Sequence, residues 1–261
     1  MKLATFRSPD DPAGARAGEV RGESVIAFDD GSSVLDRLAS GDCTPAAGEA
    51  LALSDVELLA PHRPPIIYCI GWNYLAHIKE TGRDVPDSPL VFLKPPTAAA
   101  APYGTIHCPA VVRRLDYEVE LTVVMGSGGE VAGYTVANDV SGRDLQKREG
   151  QWTRAKGADG FCPFGPWITT FDEVPDPENL VLRSWVNGEL RQDGSTSDLL
   201  FSIDRLIEHI AAACTLEPGA LILTGTPSGV GIGLEPMQFL KAGDVVRMEI
   251  EGLGAIENVI A

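Results

Sequence analysis

Glycine and proline divide this chain into many short segments, and these frequent breaks limit the folds that the chain can adopt. The 261 residues include 28 Gly and 19 Pro, and β-prone runs such as 117–124 and 245–250 recur between turn-forming residues. Few segments have helical spacing of apolar residues; the best is 202–214, with Ser202 as the expected N-cap. We therefore predict a mainly β, α+β fold rather than a regular alternation of strands and helices.

Residues 1–60 differ in sequence pattern from the rest of the chain. They hold short β-prone runs and Gly-rich turns, but none of the dense polar motifs found later. The run Pro-His-Arg-Pro-Pro at 61–65 is a stiff connector, because proline fixes its own φ and restricts the residue before it. We expect a small N-terminal β module at 1–60 and a main domain at 61–261.

The charge balance limits the partners of this protein. With 21 Lys and Arg against 37 Asp and Glu, the net charge is −16, which repels nucleic acids and anionic membranes. The apolar runs also fall short of the ~18 residues that a membrane span needs. Five scattered cysteines without a Cys-x-x-Cys pair argue against a disulfide framework. We expect a cytoplasmic protein with a small-molecule partner, no nucleic acid and no membrane.

The densest polar motif is Asp-Tyr-Glu-Val-Glu-Leu at 116–121. Side chains alternate along a strand, so Glu118 and Glu120 point the same way, although a solvated edge strand would also explain two Glu. A Gly-rich turn and a second β-prone run at 133–140 would bring Asp139 back beside the pair, although Asp139 alone also suits a turn or a helix cap. Together the three carboxylates favour a hard divalent cation, Mg²⁺, Mn²⁺ or Ca²⁺.

Two further candidates lie on either side of this motif. His77 and Glu80 are three residues apart on a predicted helix, where the carboxylate could orient the imidazole to activate a water. An exposed helix surface explains the same spacing. Lys156 lies in a Gly-flanked loop, where it could approach a ligand or be an ordinary solvated lysine.

Three polar side chains could contact a substrate. Arg143 and Gln146 would share one face of a helix beginning after Asp139, and the forked guanidinium of Arg suits a carboxylate. Thr226 lies in the Gly-rich segment 223–233, whose amides suit an anion, although a plain tight turn would look the same. This segment lacks the P-loop and dinucleotide-binding patterns, so nucleotide binding is not supported.

Taken in order, these segments resemble the fumarylacetoacetate hydrolase family. The matching motifs are Gly-Trp-Asn-Tyr at 71–74, Phe-Leu-Lys-Pro at 92–95, Asp-Tyr-Glu-Val-Glu-Leu at 116–121, Asn-Asp at 138–139, Lys-Gly at 156–157, Pro-Phe-Gly-Pro-Trp at 163–167, Val-Asn-Gly at 186–188 and Leu-Thr-Gly-Thr-Pro-Ser-Gly-Val-Gly at 223–231. The resemblance covers about residues 65–259 and is greatest to the branch of 2-hydroxyhepta-2,4-diene-1,7-dioate isomerases, which has a small N-terminal β module. It implies a mixed β-roll and a homodimer.

The resemblance also implies roles for the candidate residues. A divalent cation would be held by Glu118, Glu120 and Asp139, with Lys156 nearby as a charge stabiliser. His77 and Glu80 would form a water-activating dyad on a lid that orders when substrate binds. The substrate oxygens would be contacted by Arg143, Gln146 and Thr226.

The function implied is a metal-dependent enzyme acting on a small 2-oxo or 2-hydroxy-dienoic acid through a metal-stabilised enolate. Isomerisation, decarboxylation and C–C hydrolysis, as in aromatic-degradation pathways, all pass through such an enolate. One alternative is an acylpyruvate-type C–C hydrolase, which would require the His77–Glu80 dyad. Another is a catalytically silent binding module on the same fold.

Four positions depart from the pattern of this branch, and one of them is Gly142, which replaces the usual Ala before Arg143. Ala158 and Gly160 stand where the branch usually has Phe and Thr, which removes a ring and a hydroxyl beside the metal loop. Trp72 replaces a smaller or basic residue, and it would either narrow the pocket or stack on a substrate. We expect these positions to alter the pocket.

Overall fold

Strands dominate the computed structural model, which describes residues 1–11 and 14–261 in full. The strands of the N-terminal part are β1 (Lys2–Ser8), β2 (Asp11–Arg21), β3 (Ser24–Ala27), β4 (Ala50–Ala52) and β5 (Glu57–Leu58). Those that follow are β6 (Ile67–Gly71), β7 (Leu90–Lys94), β8 (Ala99–Ala100), β9 (Tyr103–Ile106), β10 (Leu115–Asp116), β11 (Val119–Met125), β12 (Val131–Asn138), β13 (Ser141–Gly142), β14 (Cys162–Thr170), β15 (Val181–Val186), β16 (Glu189–Ser195), β17 (Leu221–Leu223), β18 (Val245–Ile250) and β19 (Gly254–Ile260).

Short helices interrupt the strands. They are α1 (Val34–Ser40), α2 (Leu75–Glu80), α3 (Arg143–Arg148), α4 (Thr153–Lys156) and α5 (Ile203–Ala211). The predicted cap of the last helix is confirmed, because the Ser202 side chain accepts a hydrogen bond from the amide of Arg205. The apolar stripe of α5 faces inward through Ile203, Leu206 and Ile210. The predicted mainly β fold with few helices is therefore confirmed.

The sheets are mixed, and one of them runs through the whole molecule. Its main path is β4-β3-β2-β1-β14-β12-β11-β17-β6-β7, with β5 and β8 pairing onto β1 and β14. The β17–β6 pair is parallel, whereas β11 and β12 form an antiparallel hairpin. A second sheet has the order β16-β15-β18-β19-β9, and β10 pairs with β13. These open mixed sheets agree with the predicted β-roll.

The N-terminal strands join the main sheet through one pairing. β1 lies antiparallel to β14, with Lys2 opposite Thr169 and Leu3 opposite Ile168. Residues 1–60 also have an apolar cluster beneath them, formed by Ala4, Phe6, Val20, Val25, Ala27 and Leu58. The division at residue 60 therefore lies within a continuous sheet, and the two-unit organisation stays a prediction.

The central strand β11 positions the polar motif. Every one of its seven residues is buried, because β12 and β17 pair with its two edges and apolar clusters cover both faces. Val119, Leu121 and Val123 pack into the larger cluster, where burying each such side chain contributes about 1.5–3 kcal/mol. A strand anchored this firmly gives a rigid base to the residues at its start.

Candidate active site

Three carboxylates converge where the β11–β12 hairpin opens. Val119 pairs with Asn138, so Asp139 follows directly opposite Glu118, and its amide donates to the Glu118 carbonyl over 2.9 Å. One carboxylate oxygen from each of Glu118, Glu120 and Asp139 lies within 4.8 Å of the others. The predicted convergence is confirmed. The edge-strand alternative is wrong, because Glu118 and Glu120 are only 4% and 1% exposed.

Lys156 bridges two members of this acidic triad, Glu118, Glu120 and Asp139. Its ammonium donates to Glu118 Oε2 over 2.6 Å and to Asp139 Oδ2 over 2.7 Å. The residue ends helix α4 and is buried, so the predicted Gly-flanked loop is replaced by a short helix and the solvated-lysine alternative is wrong. Its predicted role as a charge stabiliser beside a metal stays a prediction.

A second buried lysine, Lys94, was not among the predicted site residues. Its Nζ lies 2.6 Å from Asp139 Oδ1. Its hydrogen bonds go instead to the backbone carbonyls of Val140, Lys156 and Phe161. Asp139 Oδ1 is buried, and the Lys94 ammonium is its ion-pair partner. The sequence feature that could have indicated Lys94 is its place at the end of an apolar run, directly before a proline.

Arg143 is held by carboxylates on the protein itself. Its Nε donates to Asp116 Oδ2 over 2.7 Å and its Nη2 to Glu118 Oε1 over 2.6 Å, while Nη1 donates to Gln146 Oε1 over 3.0 Å. Asp116 was missed as a site residue, and it also accepts from the amides of Gly231 and Ile232. Arg143 thus ties the acidic triad to the Gly-rich segment, and its predicted contact with substrate stays a prediction.

The buried charges do not balance. The carboxylates of Asp116, Glu118 and Asp139 have Arg143, Lys156 or Lys94 within ion-pair distance. Glu120 instead accepts one hydrogen bond, from the Gly225 amide over 2.7 Å. If all four carboxylates are ionised, three cations leave one negative charge unmatched.

The pKa values of the two glutamates move in opposite directions. Burial, together with the nearby charges of Asp139 and Glu118, raises the pKa of Glu120 well above its usual range. Burial acts in the same sense on Glu118, but the cations Arg143 and Lys156 outweigh it and hold the pKa of Glu118 well below its usual range. In the metal-free site the raised pKa favours the protonated form of Glu120, which removes the unmatched charge, and a bound cation would displace that proton.

The dyad predicted from the His-x-x-Glu spacing is formed. His77 Nδ1 lies 3.2 Å from Glu80 Oε2, and the other carboxylate oxygen of Glu80 accepts from the Gly229 amide over 2.8 Å. The exposed-surface alternative is wrong, since His77 is 5% exposed. Glu80 therefore holds one ring nitrogen of His77, which leaves Nε2 as the atom available for proton transfer.

One cavity of about 340 Å³ joins these groups. Eight of the nine predicted site residues line it, namely His77, Glu80, Glu118, Glu120, Arg143, Gln146, Lys156 and Thr226. Asp139 lies behind this lining and contacts it through Lys156. Residues separated by up to about 150 positions in sequence thus face one space large enough for a small organic acid.

Thr226 lines the cavity with its hydroxyl already engaged. The Oγ1 atom donates to the Val119 carbonyl over 2.9 Å and accepts from Gln192 Nε2 over 2.7 Å. The preceding Gly225 has φ of 100°, and a Cβ there would lie 2.8 Å from the Cβ of Asn73. The close passage of this segment past Asn73 therefore requires glycine, and a substrate contact of Thr226 stays a prediction.

Aromatic side chains form a wall of the same cavity. The ring of Trp152 lies 5.2 Å from those of both Trp72 and Phe92, in edge-to-face contacts. Trp72 has φ of 56°, a conformation that costs free energy for a bulky residue. Within the described residues, Gly142, Ala158 and Gly160 do not line this cavity, so of the four departures Trp72 is the one that shapes it.

Membrane crossing by a helix finds no support in the described part of the chain. None of its helices is both long enough and apolar enough to span a bilayer.

Mixed sheets surround a buried acidic triad and a His–Glu dyad. This combination is typical of an enzyme family. The profile of the fumarylacetoacetate (FAA) hydrolase C-terminal family matches residues 66–261. The chain belongs to that family.

Named relatives narrow the comparison. The mitochondrial oxaloacetate tautomerase FAHD2A of Homo sapiens is 40% identical, with 100% of this chain and 91% of that protein covered. Oxaloacetate tautomerase YisK of Bacillus subtilis is 44% identical, over 80% of this chain and 74% of its own length. The crystal structure of a 5-carboxymethyl-2-hydroxymuconate delta-isomerase from Mycobacterium smegmatis is 36% identical with a TM-score of 0.84, covering 100% of this chain and 99% of that one.

Proposed function

We propose that this protein is a divalent-metal-dependent tautomerase or isomerase of a small 2-oxo or 2-hydroxy-dienoic acid. The observation that carries the proposal is that one cavity of about 340 Å³ is lined by the His77–Glu80 dyad and by Glu118 and Glu120, with Asp139 directly behind them. The names of the relatives support the same reaction class, because both tautomerisation and double-bond isomerisation move a proton along an enol.

The acidic triad fits a hard divalent cation. One oxygen from each of the three lies within 4.8 Å of the others, and among the described residues no Lys or Arg lies within ion-pair distance of Glu120. Oxygen donors of this kind suit Mg²⁺ or Mn²⁺, with Ca²⁺ also possible on donor chemistry. When bound, such a cation supplies positive charge that stabilises an enolate.

The remaining site residues handle the proton and the charge. Glu80 orients His77 and leaves Nε2 to take a proton from the enol oxygen and deliver a proton to the carbon at the other end of the enol system, or to carry out the reverse transfer. Lys156 and Arg143 compensate Glu118, and with all four buried carboxylates ionised a bound dication would give the site a net positive charge. A net positive site then attracts an anionic acid.

An acylpyruvate-type C–C hydrolase is the second candidate. The buried dyad favours it, because a carboxylate-oriented imidazole can activate water as well as carry a proton. Decarboxylation would use the same enolate without this water. A silent binding module would keep the cation and show no turnover.

We further propose a homodimer in the cytoplasm, as the family resemblance and the cysteine pattern led us to expect. The human relative is named as a mitochondrial protein, so the compartment varies within the family.

A substrate panel tests the proposal. The ultraviolet absorbance of enol oxaloacetate, a 2-hydroxy-dienedioate, acetylpyruvate and fumarylpyruvate would be followed with Mg²⁺ or Mn²⁺ and again with EDTA. We expect metal-dependent conversion of enol oxaloacetate or the dienedioate. Metal-dependent cleavage of the acylpyruvates instead would establish the hydrolase, and silence across the panel would favour the binding module.

A further inference from the structure

The positively charged side chains that line the cavity are of two kinds. Four Lys or Arg side chains line it, namely Arg83, Arg143, Lys147 and Lys156. Arg143 and Lys156 are buried and neutralised by carboxylates of the protein. In the described chain, Arg83 and Lys147 are exposed and have no carboxylate within 4.0 Å, so their charge is available to a ligand.

Arg83 is the better oriented of the two. Its guanidinium carbon lies 5.3 Å from the ring of Trp72, which is itself held edge-to-face by Trp152. A guanidinium above an aromatic face is attracted to it, and this contact restricts a side chain that would otherwise wander in solvent. Lys147, in the last turn of α3, carries a point charge on a flexible stem.

The aromatic wall links this arginine to the acidic triad. Phe92 continues the wall from Trp152, and the Lys156 ammonium lies 5.2 Å from the centre of the Phe92 ring. A ligand on this wall would have charge-binding groups at both ends and apolar surface between them. A short, unbranched or planar carbon chain with an anionic group at each end matches that arrangement.

We propose that Arg83 binds a second, distal carboxylate and thereby selects dicarboxylic 2-oxo acids over monocarboxylic ones. The assignment rests on the proposed function only in placing the 2-oxo-carboxylate end at the acidic triad. The fork of the guanidinium matches a carboxylate through two parallel hydrogen bonds. On a chain of net charge −16, this arginine also provides local attraction for a dianion.

The first test is equilibrium binding, which does not depend on turnover. Calorimetry on the Mn²⁺-loaded protein would compare 2-oxoglutarate with its 5-methyl ester, which lacks the distal charge. We expect the wild type to bind the diacid about tenfold more tightly, as for one charge-assisted contact. In Arg83→Ala the ratio should fall close to one, and Arg83→Lys should recover part of it.

A matched control keeps the result specific. Arg63→Ala removes an exposed arginine outside this cavity and should retain the wild-type ratio. Equal binding of acid and ester by the wild type would overturn the proposal. So would a ratio that survives in Arg83→Ala but disappears in Lys147→Ala.

Kinetics separate selection from catalysis. With enol oxaloacetate and its 4-methyl ester, Arg83→Ala should raise KM for the diacid about tenfold and lower kcat far less. A fall in kcat with unchanged KM would contradict a binding role. If neither compound is turned over by the wild type, the proposed reaction fails, while the calorimetric ratio still decides the role of Arg83.

Discussion

Lys94 Nζ lies 2.6 Å from Asp139 Oδ1, and both side chains are excluded from solvent. The lysine comes from the end of β7 and the aspartate follows β12, so the contact ties an edge of the main sheet to the acidic triad. Its three carbonyl acceptors include Lys156, whose own side chain meets the same aspartate. Lys94 is thus a positioning residue for two members of the site.

Replacing Lys94 with Met should destabilise the protein strongly. The substitution leaves Asp139 with one counter-ion fewer and removes the donor for three buried carbonyls, which we expect to cost about 3–5 kcal/mol of unfolding free energy. Urea denaturation measures it. Arg183→Met breaks an exposed pair with Asp193 and should cost less than about 1 kcal/mol. Equal losses in the two variants would show that the buried Lys94–Asp139 pair contributes no more stability than an exposed ion pair.

The two glutamates of the acidic triad should respond differently to amidation. Glu118→Gln removes the partner of two buried cations, so both stability and Mn²⁺ affinity should fall. Glu120→Gln relieves repulsion from neighbouring carboxylates, so the metal-free protein should be at least as stable as wild type, while Mn²⁺ affinity falls more than about 100-fold. Calorimetry gives the affinity, and urea unfolding in EDTA gives the stability.

A surface glutamate serves as the control for that comparison. Glu149→Gln disturbs only exposed partners, Arg148 and Arg154, and should leave Mn²⁺ binding as in the wild type. Wild-type Mn²⁺ affinity in Glu120→Gln would remove that residue from the metal site.

His77→Ala should separate catalysis from metal binding. Loss of a positioned proton carrier is expected to lower kcat about 10²- to 10⁴-fold, whereas Mn²⁺ affinity should stay at the wild-type value because His77 is outside the acidic triad. Steady-state kinetics and calorimetry measure the two quantities. His209→Ala, at the end of α5, is the matched histidine control. If kcat and affinity fell together, His77 would be a ligand or a structural residue.

Stability should decrease in mild acid because of a histidine far from the site. Burial lowers the pKa of His62 to about 4, and this ring faces the Gly219 carbonyl at 2.7 Å through Nε2. As pH falls below 6.5 the unfolded chain binds the proton first, so up to about 3 kcal/mol of stability present above pH 6.5 is lost by pH 4.

His62→Gln tests this assignment, because the amide can still donate to Gly219 but does not titrate. Urea unfolding at pH 7 and pH 4.5 should show a smaller loss in the variant than in the wild type. An identical loss would assign the acid sensitivity to other groups.

Local spacing in the sequence was sufficient for much of the site. Strand alternation places Glu118 and Glu120 on one side, the hairpin turn returns Asp139 to them, and helical spacing joins His77 to Glu80. Each of these relationships depends on backbone geometry repeated over a few residues, which the amino-acid order alone determines. The mainly β character follows for the same reason.

Burial and charge pairing were decided by the tertiary structure. From the sequence alone, Glu118 and His77 could be either exposed or buried. They are buried because β12, β17 and distant loops pack over them. Lys94 and Val140 are separated by 46 positions, and no local pattern indicates that they meet. The same holds for the contact between Trp72 and Trp152 and for the position of Arg83. These contacts form between segments that are remote in sequence, so spacing along the chain does not predict them.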